Sequence, residues 1–272
     1  MLKTLAVILL LQSSFFVASS TGQAANSDMS PIFEATEKLM DQEVSQLFGT
    51  HNQAALLDYM KKHGDQKGVA RLSAKLSARN STEKEVGSYT FLEAQVAKAE
   101  IFLGQIEKAN HRVETALNYA PTLWLSHGND RPFNSYIDLM GIYLETGGDI
   151  AGLKQARLFL DKVATRYRED DWRHQLFQSL GRMWAKAGYI SNARENFQKA
   201  IDVALTFPSE KGRQNKRMNY LMSIASFQGR LGFYEDMAKT ISLVDTTDGE
   251  ALNAAWETIK GTIDLLEQPT VQ

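Results

Sequence analysis

The chain has 272 residues, 43% of them apolar and 23% charged, with a net charge of −2 and no cysteine. That balance is ordinary for a folded globular protein and gives no electrostatic reason to expect nucleic acid. The missing thiols exclude disulfides, thiolate metal sites and thiol catalysis. Five prolines, four of them at apparent helix ends or connections, indicate an all-α chain.

The first residues, MLKTLAVILLLQSSFFVASSTGQAANS, have the three parts of a secretory signal peptide: Lys3, the apolar run Leu5 to Leu11, and the small-x-small site Gly22-Gln23-Ala24. Gln12-Ser13-Ser14 interrupts the apolar run, which falls short of the roughly 20 residues a spanning helix needs. No cysteine follows it as a lipid acceptor. Cleavage after Ala24 leaves 248 residues with a net charge of −3. An uncleaved anchor is the alternative.

Residues 25–82 read as an irregular helical lead-in. Ser30-Pro31 suits a helix start, with Ser as the cap. Phe33, Val44 and Leu47 follow at helical spacing until Gly49, a second helix starts near Asn52, and a third near Gln66. Thr82-x-x-Glu85 fits a capping box opening the next helix.

From residue 83 to 245 the pattern repeats. Gly104, Gly148, Gly188 and Gly232 sit where one helix turns into its partner, separated by 44, 40 and 44 residues. Small and large residues alternate after each: Ala109, Val113 and Ala116; Ala156, Leu160 and Val163, displaced by three; Ala193, Phe197 and Ala200; Met237, Ile241 and Val244. The clearest unit runs from His174 to Pro208. Its first helix carries Phe177-x-x-Leu180-Gly181-x-x-Trp184 and its second Ala193-x-x-x-Phe197-x-x-Ala200, with Ser191 or Asn192 as the start of the second. Gly181 is expected where a neighbouring helix approaches the backbone closely.

This unit resembles a tetratricopeptide repeat, whose signature is W-x2-L-G-x2-Y…A-x3-F…P. The resemblance implies a right-handed α-solenoid of helix–turn–helix repeats, in a variety with longer helices or a HEAT-like one. It also implies that the first helix of each pair lines a groove for a protein or peptide partner. Mapped by the resemblance, that face holds Asp138, Ile142 and Glu145; then Gln175, Gln178, Arg182 and Lys186; then Asn219, Met222, Ser226 and Arg230. The groove is expected to run from acidic to basic. The Lys and Asn pattern that clamps a chaperone's terminal carboxylates is missing, so that specificity does not transfer.

Residues 246–268 form a terminal helix opened by Thr247-x-x-Glu250, with Leu252, Trp256, Ile259, Ile263 and Leu266 on one stripe. An array needs a cap at its end, and the stripe is expected to cover the last repeat. A homo-oligomer formed through it is the alternative. Pro121 to Pro132 reads as a long connection, in which Trp124 either contacts a partner or tucks into the core.

Signals for chemistry are missing. The five histidines are scattered, with no His-Glu-x-x-His, no phosphate loop and no G-x-S-x-G. Glu169-Asp170-Asp171 reads as a solvated helix start, and Lys211, Arg213, Lys216 and Arg217 as a solvated connection. No catalytic residue, cofactor or metal is expected, and no stable membrane insertion once the leader is removed. The sequence points to an exported, non-enzymatic interaction module of a bacterial envelope. An enzyme or accessory protein acting on cell-wall glycan is the alternative. Expressed with its export machinery, the protein should begin at Ala25 and appear in the soluble fraction. Recovery of the intact chain mass from the membrane pellet would overturn the cleavage reading.

Overall fold

One turn, used five times, organises the chain. The computed structural model describes residues 29–41, 46–81, 83, 85–127, 133–166, 170–209, 215–245 and 249–267. Within them Gly64, Gly104, Gly147, Gly188 and Gly232 have φ between +72° and +96°. At each, the glycine N–H donates to the carbonyl three residues back. The next N–H donates five back: Asp65 to Met60, Gln105 to Glu100, Gly148 to Tyr143, Tyr189 to Trp184 and Phe233 to Gln228, all at 2.8 to 3.0 Å. This is the Schellman ending, which satisfies the last carbonyls of a helix with a left-handed residue after it. A side chain in that conformation costs about 1–2 kcal/mol, which is why glycine stands at all five.

The turns join twelve helices among the described residues: α1 (Ser30–Asp41), α2 (Gln46–Lys62), α3 (Gln66–Asn80), α4 (Val86–Phe102), α5 (Ile106–His127), α6 (Phe133–Glu145), α7 (Lys154–Arg166), α8 (Asp170–Lys186), α9 (Ile190–Thr206), α10 (Lys216–Arg230), α11 (Tyr234–Ile241) and α12 (Gly249–Glu267). The fold is all-α, an array of TPR-like helical hairpins: α2/α3, α4/α5, α6/α7, α8/α9 and α10/α11, with α1 before and α12 after. Two compact units divide it, Met1–Glu83 with Gln95–Ala109 and Lys84–Ala94 with Asn110–Gln272.

In the first unit, Leu56, Leu57 and Met60 of α2 are buried, as are Val69, Leu72 and Leu76 of α3. Asp65 caps α3 by accepting the Gly68 N–H at 2.9 Å. Glu37 of α1 is buried and held by Arg71 at 3.0 Å and Lys75 at 3.5 Å. The lead-in is therefore a hairpin with the common turn: α3 starts at Gln66 as expected, but the sequence reading did not recognise the pair as a repeat. The reading also placed Gly49 at a helix end, whereas α2 starts at Gln46 and runs through it. Ser30 is the first helical residue and not a cap, since the Met29 carbonyl accepts from Ile32 and Phe33.

In the second unit the expected small-large alternation packs as read. Ala193, Phe197, Ala200 and Ala204 of α9 are buried. A Cβ built on Gly181 would lie 2.9 Å from the Phe197 ring, so α8 and α9 meet at this glycine. Ala225, seven residues before its turn glycine as Gly181 is before Gly188, is fully buried in α10. Helix α9 starts at Ile190 with Tyr189 as a cap that makes no side-chain bond, not at Ser191 or Asn192. It ends at Thr206 because Phe207, extended at ψ 145°, precedes Pro208.

The third turn differs. Its left-handed residue is Gly147, one earlier than read, and α7 starts only at Lys154. Four extra residues displace Ala156 relative to its counterparts. Asp149 folds the insertion by accepting the Gly152 N–H at 2.8 Å. Any Cβ on Gly148 or Gly152 would overlap the Tyr143 side chain, which lies over both.

Pro121 does not end α5, which continues through it to His127. A proline inside a helix removes the N–H that would bond to the carbonyl four residues back. Here that carbonyl belongs to Leu117, and the buried Tyr136 hydroxyl of α6 donates to it at 2.9 Å. Burial also pushes the Tyr136 phenol above its ordinary range. The tyrosine replaces the bond that the proline removed and ties α5 to α6.

Residues 1–28, Thr82, residues 128–132, Lys211, Arg213 and Thr247 lie outside the described residues, so the expectations placed on them are not addressed, and the side chain of Leu266 is not described.

Two measurements check this packing. Gly181→Ala should cost about 1–3 kcal/mol in urea melts through contact with Phe197, and stability equal to the parent would show the contact misassigned. Tyr136→Phe should cost about 1–3 kcal/mol by orphaning the Leu117 carbonyl. In a Pro121→Ala background the restored N–H can serve that carbonyl, so the same change should cost measurably less. Additive losses in this double-mutant cycle would disconnect the proline from the tyrosine.

Candidate functional site

Successive first helices of the second unit sit side by side. Between α6 and α8, the Ser179 hydroxyl donates to Asn134 Oδ1 at 3.1 Å, and Phe133 meets Trp172 edge-on at 5.9 Å. Between α8 and α10, Gln178 Nε2 donates to Ser223 Oγ at 2.8 Å. His174 stacks on Tyr220 at 4.3 Å, and the Arg182 guanidinium lies 4.2 Å over the Phe227 ring. These links hold three helices in fixed order.

Counting back from the turn glycines shows what each helix leaves uncovered. Positions −13, −9, −6 and −2 repeat at helical spacing and so share one face. On α6 they are Asn134, Asp138, Gly141 and Glu145; on α8, Gln175, Ser179, Arg182 and Lys186; on α10, Asn219, Ser223, Ser226 and Arg230. All twelve are exposed or half-buried. The face therefore holds acids on α6, bases on α8 and one base at the end of α10. Its −13 column is Asn134, Gln175 and Asn219, three carboxamides that each offer both donors and an acceptor.

Eight of the residues read from the sequence lie on this face: Asp138, Glu145, Gln175, Arg182, Lys186, Asn219, Ser226 and Arg230. Four do not. Ile142, Gln178 and Met222 are 2%, 8% and 7% exposed. Ile142 was misplaced because the register was counted from Gly148 in place of Gly147, which rotates α6 by one residue. Gln178 and Met222 occupy position −10, whose counterparts Ala54, Ala94 and Ile137 are buried too. Asn134, Ser179 and Ser223 were missed, and counting from the left-handed glycine of each turn would have found them.

Trp124, the fourth, is 4% exposed. It lies within α5, with Phe159 edge-on at 5.5 Å and the Arg166 guanidinium 4.9 Å over the ring. It is a core residue of α5 and α7, not a loop contact. Its neighbour Leu125 is 75% exposed.

Charged pairs away from the face are tied locally. Arg112 pairs with Glu93 at 2.9 Å and Arg194 with Asp236 at 2.7 Å. Lys199 bonds Glu195 at 2.7 Å and holds that carboxyl below its ordinary range. Two surface hollows measure about 490 and 240 Å³. Each has a single carboxylate among its described lining residues, Asp161 in the larger and Asp245 in the smaller. Neither sets up the paired carboxylates of acid–base hydrolysis. Among the described residues no three His, Asp or Glu side chains converge as around a metal, and no helix is long and apolar enough to cross a membrane.

No family model matches the chain, and no curated protein matches it. Among solved structures it is similar to the nearly identical TPR-like repeats of a Podosopora anserina chain described as a kinesin light chain, at 13% identity over 80% of this chain and 97% of that one, with a TM-score of 0.42. A single-substitution form of that protein gives 14% identity, 77% and 96% coverage, and a TM-score of 0.43. It is also similar to BtubC (BKLC) from P. vanneervenii, at 11% identity over 92% of this chain and 95% of that one, with a TM-score of 0.47.

Proposed function

We propose that this protein is a non-enzymatic scaffold of the bacterial envelope, exported by its leader, that holds an extended segment of a partner protein on the face formed by α6, α8 and α10. The observation that carries the reading is the order of side chains on that face. Asp138 and Glu145 on α6, Arg182 and Lys186 on α8, and Arg230 on α10 give it an acidic and a basic end. The carboxamides Asn134, Gln175 and Asn219 suit the N–H and C=O groups of an extended backbone, which carry no sequence information. The charge order then fixes the direction of the segment more than it tightens binding.

The stack of Arg182 on Phe227 changes how the face is tested. Reversing that charge removes a cation–π contact worth about 0.5–2 kcal/mol, so it would lower stability along with any binding. Lys186 and Arg230 are exposed at equivalent positions and separate the two effects. With a partner recovered by co-purification from the envelope, Lys186→Glu plus Arg230→Glu should weaken binding on the order of tenfold at low salt, with an unchanged melting temperature. The loss should shrink as salt rises, because exposed charges are screened. Unchanged affinity in this pair would move the binding site off the face.

A further inference from the structure

Packing leaves two surfaces open, and only one of them carries the marks of an occupant. The α12 stripe expected to cover the last repeat does not cover it. Thr262 is buried against α10 instead, where a Cβ built on Gly229 would lie 2.7 Å from its hydroxyl oxygen. Small groups set that contact, so Leu252, Trp256 and Ile263 stay 55%, 60% and 45% exposed. Nothing beside the stripe names what would cover it. The face on α6, α8 and α10 has both an order of charge and a spacing.

The order of charge is clearest at position −2, the turn end of each helix. Glu145, Lys186 and Arg230 stand there in the sequence acid, base, base, and all three are exposed. Among the described residues none of these side chains has an ion-pair or hydrogen-bond partner. The carboxamides of Asn134, Gln175 and Asn219 lie eleven residues before them, about 16 Å along the helix axis. Between the two columns Gly141, Ser179, Ser223 and Ser226 are small, and the Arg182 guanidinium is taken up by the Phe227 ring. A slender segment fits between the columns, its backbone toward the carboxamides and its long side chains toward the turns.

Spacing decides which conformation. The three helices touch directly through Ser179–Asn134 and Gln178–Ser223, and helices in such contact lie about 8–10 Å apart. A segment crossing them must turn the same side to the face once in that distance. A β-strand does so every two residues, about 7 Å, and its third residue points away. An α-helix does so near seven residues, about 10 Å, but its backbone groups are already paired and leave the carboxamides nothing to satisfy. A polyproline II helix does so every three residues, about 9 Å, and keeps its carbonyls free of internal hydrogen bonds. Taking this face as the partner site, on which the inference rests, we infer that it holds a polyproline II segment with one basic and two acidic residues at three-residue intervals. The basic residue lies beside Glu145 and the acidic ones beside Lys186 and Arg230.

Labelled synthetic peptides test this by fluorescence anisotropy on the protein. The first is proline-rich, with Lys, Glu and Glu at every third residue. The second has the same composition with those charges at every second residue, and the third keeps the three-residue spacing with glycine in place of proline. The first should bind, with affinity falling as salt rises. The second should bind at least about tenfold more weakly, and the third several-fold more weakly because its backbone must be ordered on binding. Lys186→Glu with Arg230→Glu should weaken the first at least about tenfold, and the doubly substituted protein should instead bind a proline-rich peptide with Lys at all three positions. No binding of the first peptide, or equal binding of either control, would overturn the proposal. If the peptides fail while the co-purified partner still depends on Lys186 and Arg230, the polyproline segment is overturned and the face stands as the partner site.

Discussion

A left-handed glycine after a helix is a small constraint with long consequences. It lets the N–H groups of the turn satisfy the last carbonyls of one helix while the chain reverses, so the following helix must lie antiparallel on the preceding one. Because the bond pair is the same at Gly64, Gly104, Gly147, Gly188 and Gly232, each hairpin presents its first helix in one register. That register fixes which residues are buried. Ala54, Ala94, Ile137, Gln178 and Met222 differ in chemistry and share a fate, because all lie ten residues before such a glycine. Position relative to the turn outranks polarity here, and Gln178 can be buried only because Ser223 accepts from it.

The same argument explains what the sequence made legible. Leu180, Gly181, Trp184, Ala193 and Phe197 could be placed because their spacing is helical and their volumes alternate. Physics recorded in periodicity survives reading one chain at a time. The third turn did not yield, because Gly147 and Gly148 are adjacent and only the backbone angle distinguishes them. One residue of error rotates α6 by about 100°, enough to carry Ile142 from the core to the apparent surface. Pro121 misled for a related reason. Proline usually closes a helix, and nothing local to it announces that Tyr136, fifteen residues on, supplies the missing donor. The lead-in hid its repeat because Ser73 stands where Phe197 stands in the clearest unit, although Gly64 was present to be counted.

Helix α12 shows a different kind of illegibility. Hydrophobic periodicity identifies the face that wants to leave water, and Leu252, Trp256, Ile259 and Ile263 form such a face. Periodicity does not say what the face meets. On α10 the available surface includes Gly229, where small groups can approach more closely than large ones, and Thr262 meets it there. The intramolecular contact was decided by fit, and the more apolar side was left over. A helix with two usable faces can therefore close an array and still carry a second contact surface.

The two candidate surfaces differ in the physics of what they would hold. The face on α6, α8 and α10 is polar, built from carboxamides and separated charges on helices locked by Ser179–Asn134, Gln178–Ser223 and Arg182–Phe227. Its rigidity means that a partner segment would bear the ordering cost, which suits an extended backbone satisfied by amide groups. The stripe on α12 is apolar, and what it gains on leaving water is area without direction. Direction would come from the first surface and area from the second. Salt screens the charges of the first and removal of the apolar area of Trp256 acts on the second, so the chemistry of the surfaces is itself the means of telling them apart.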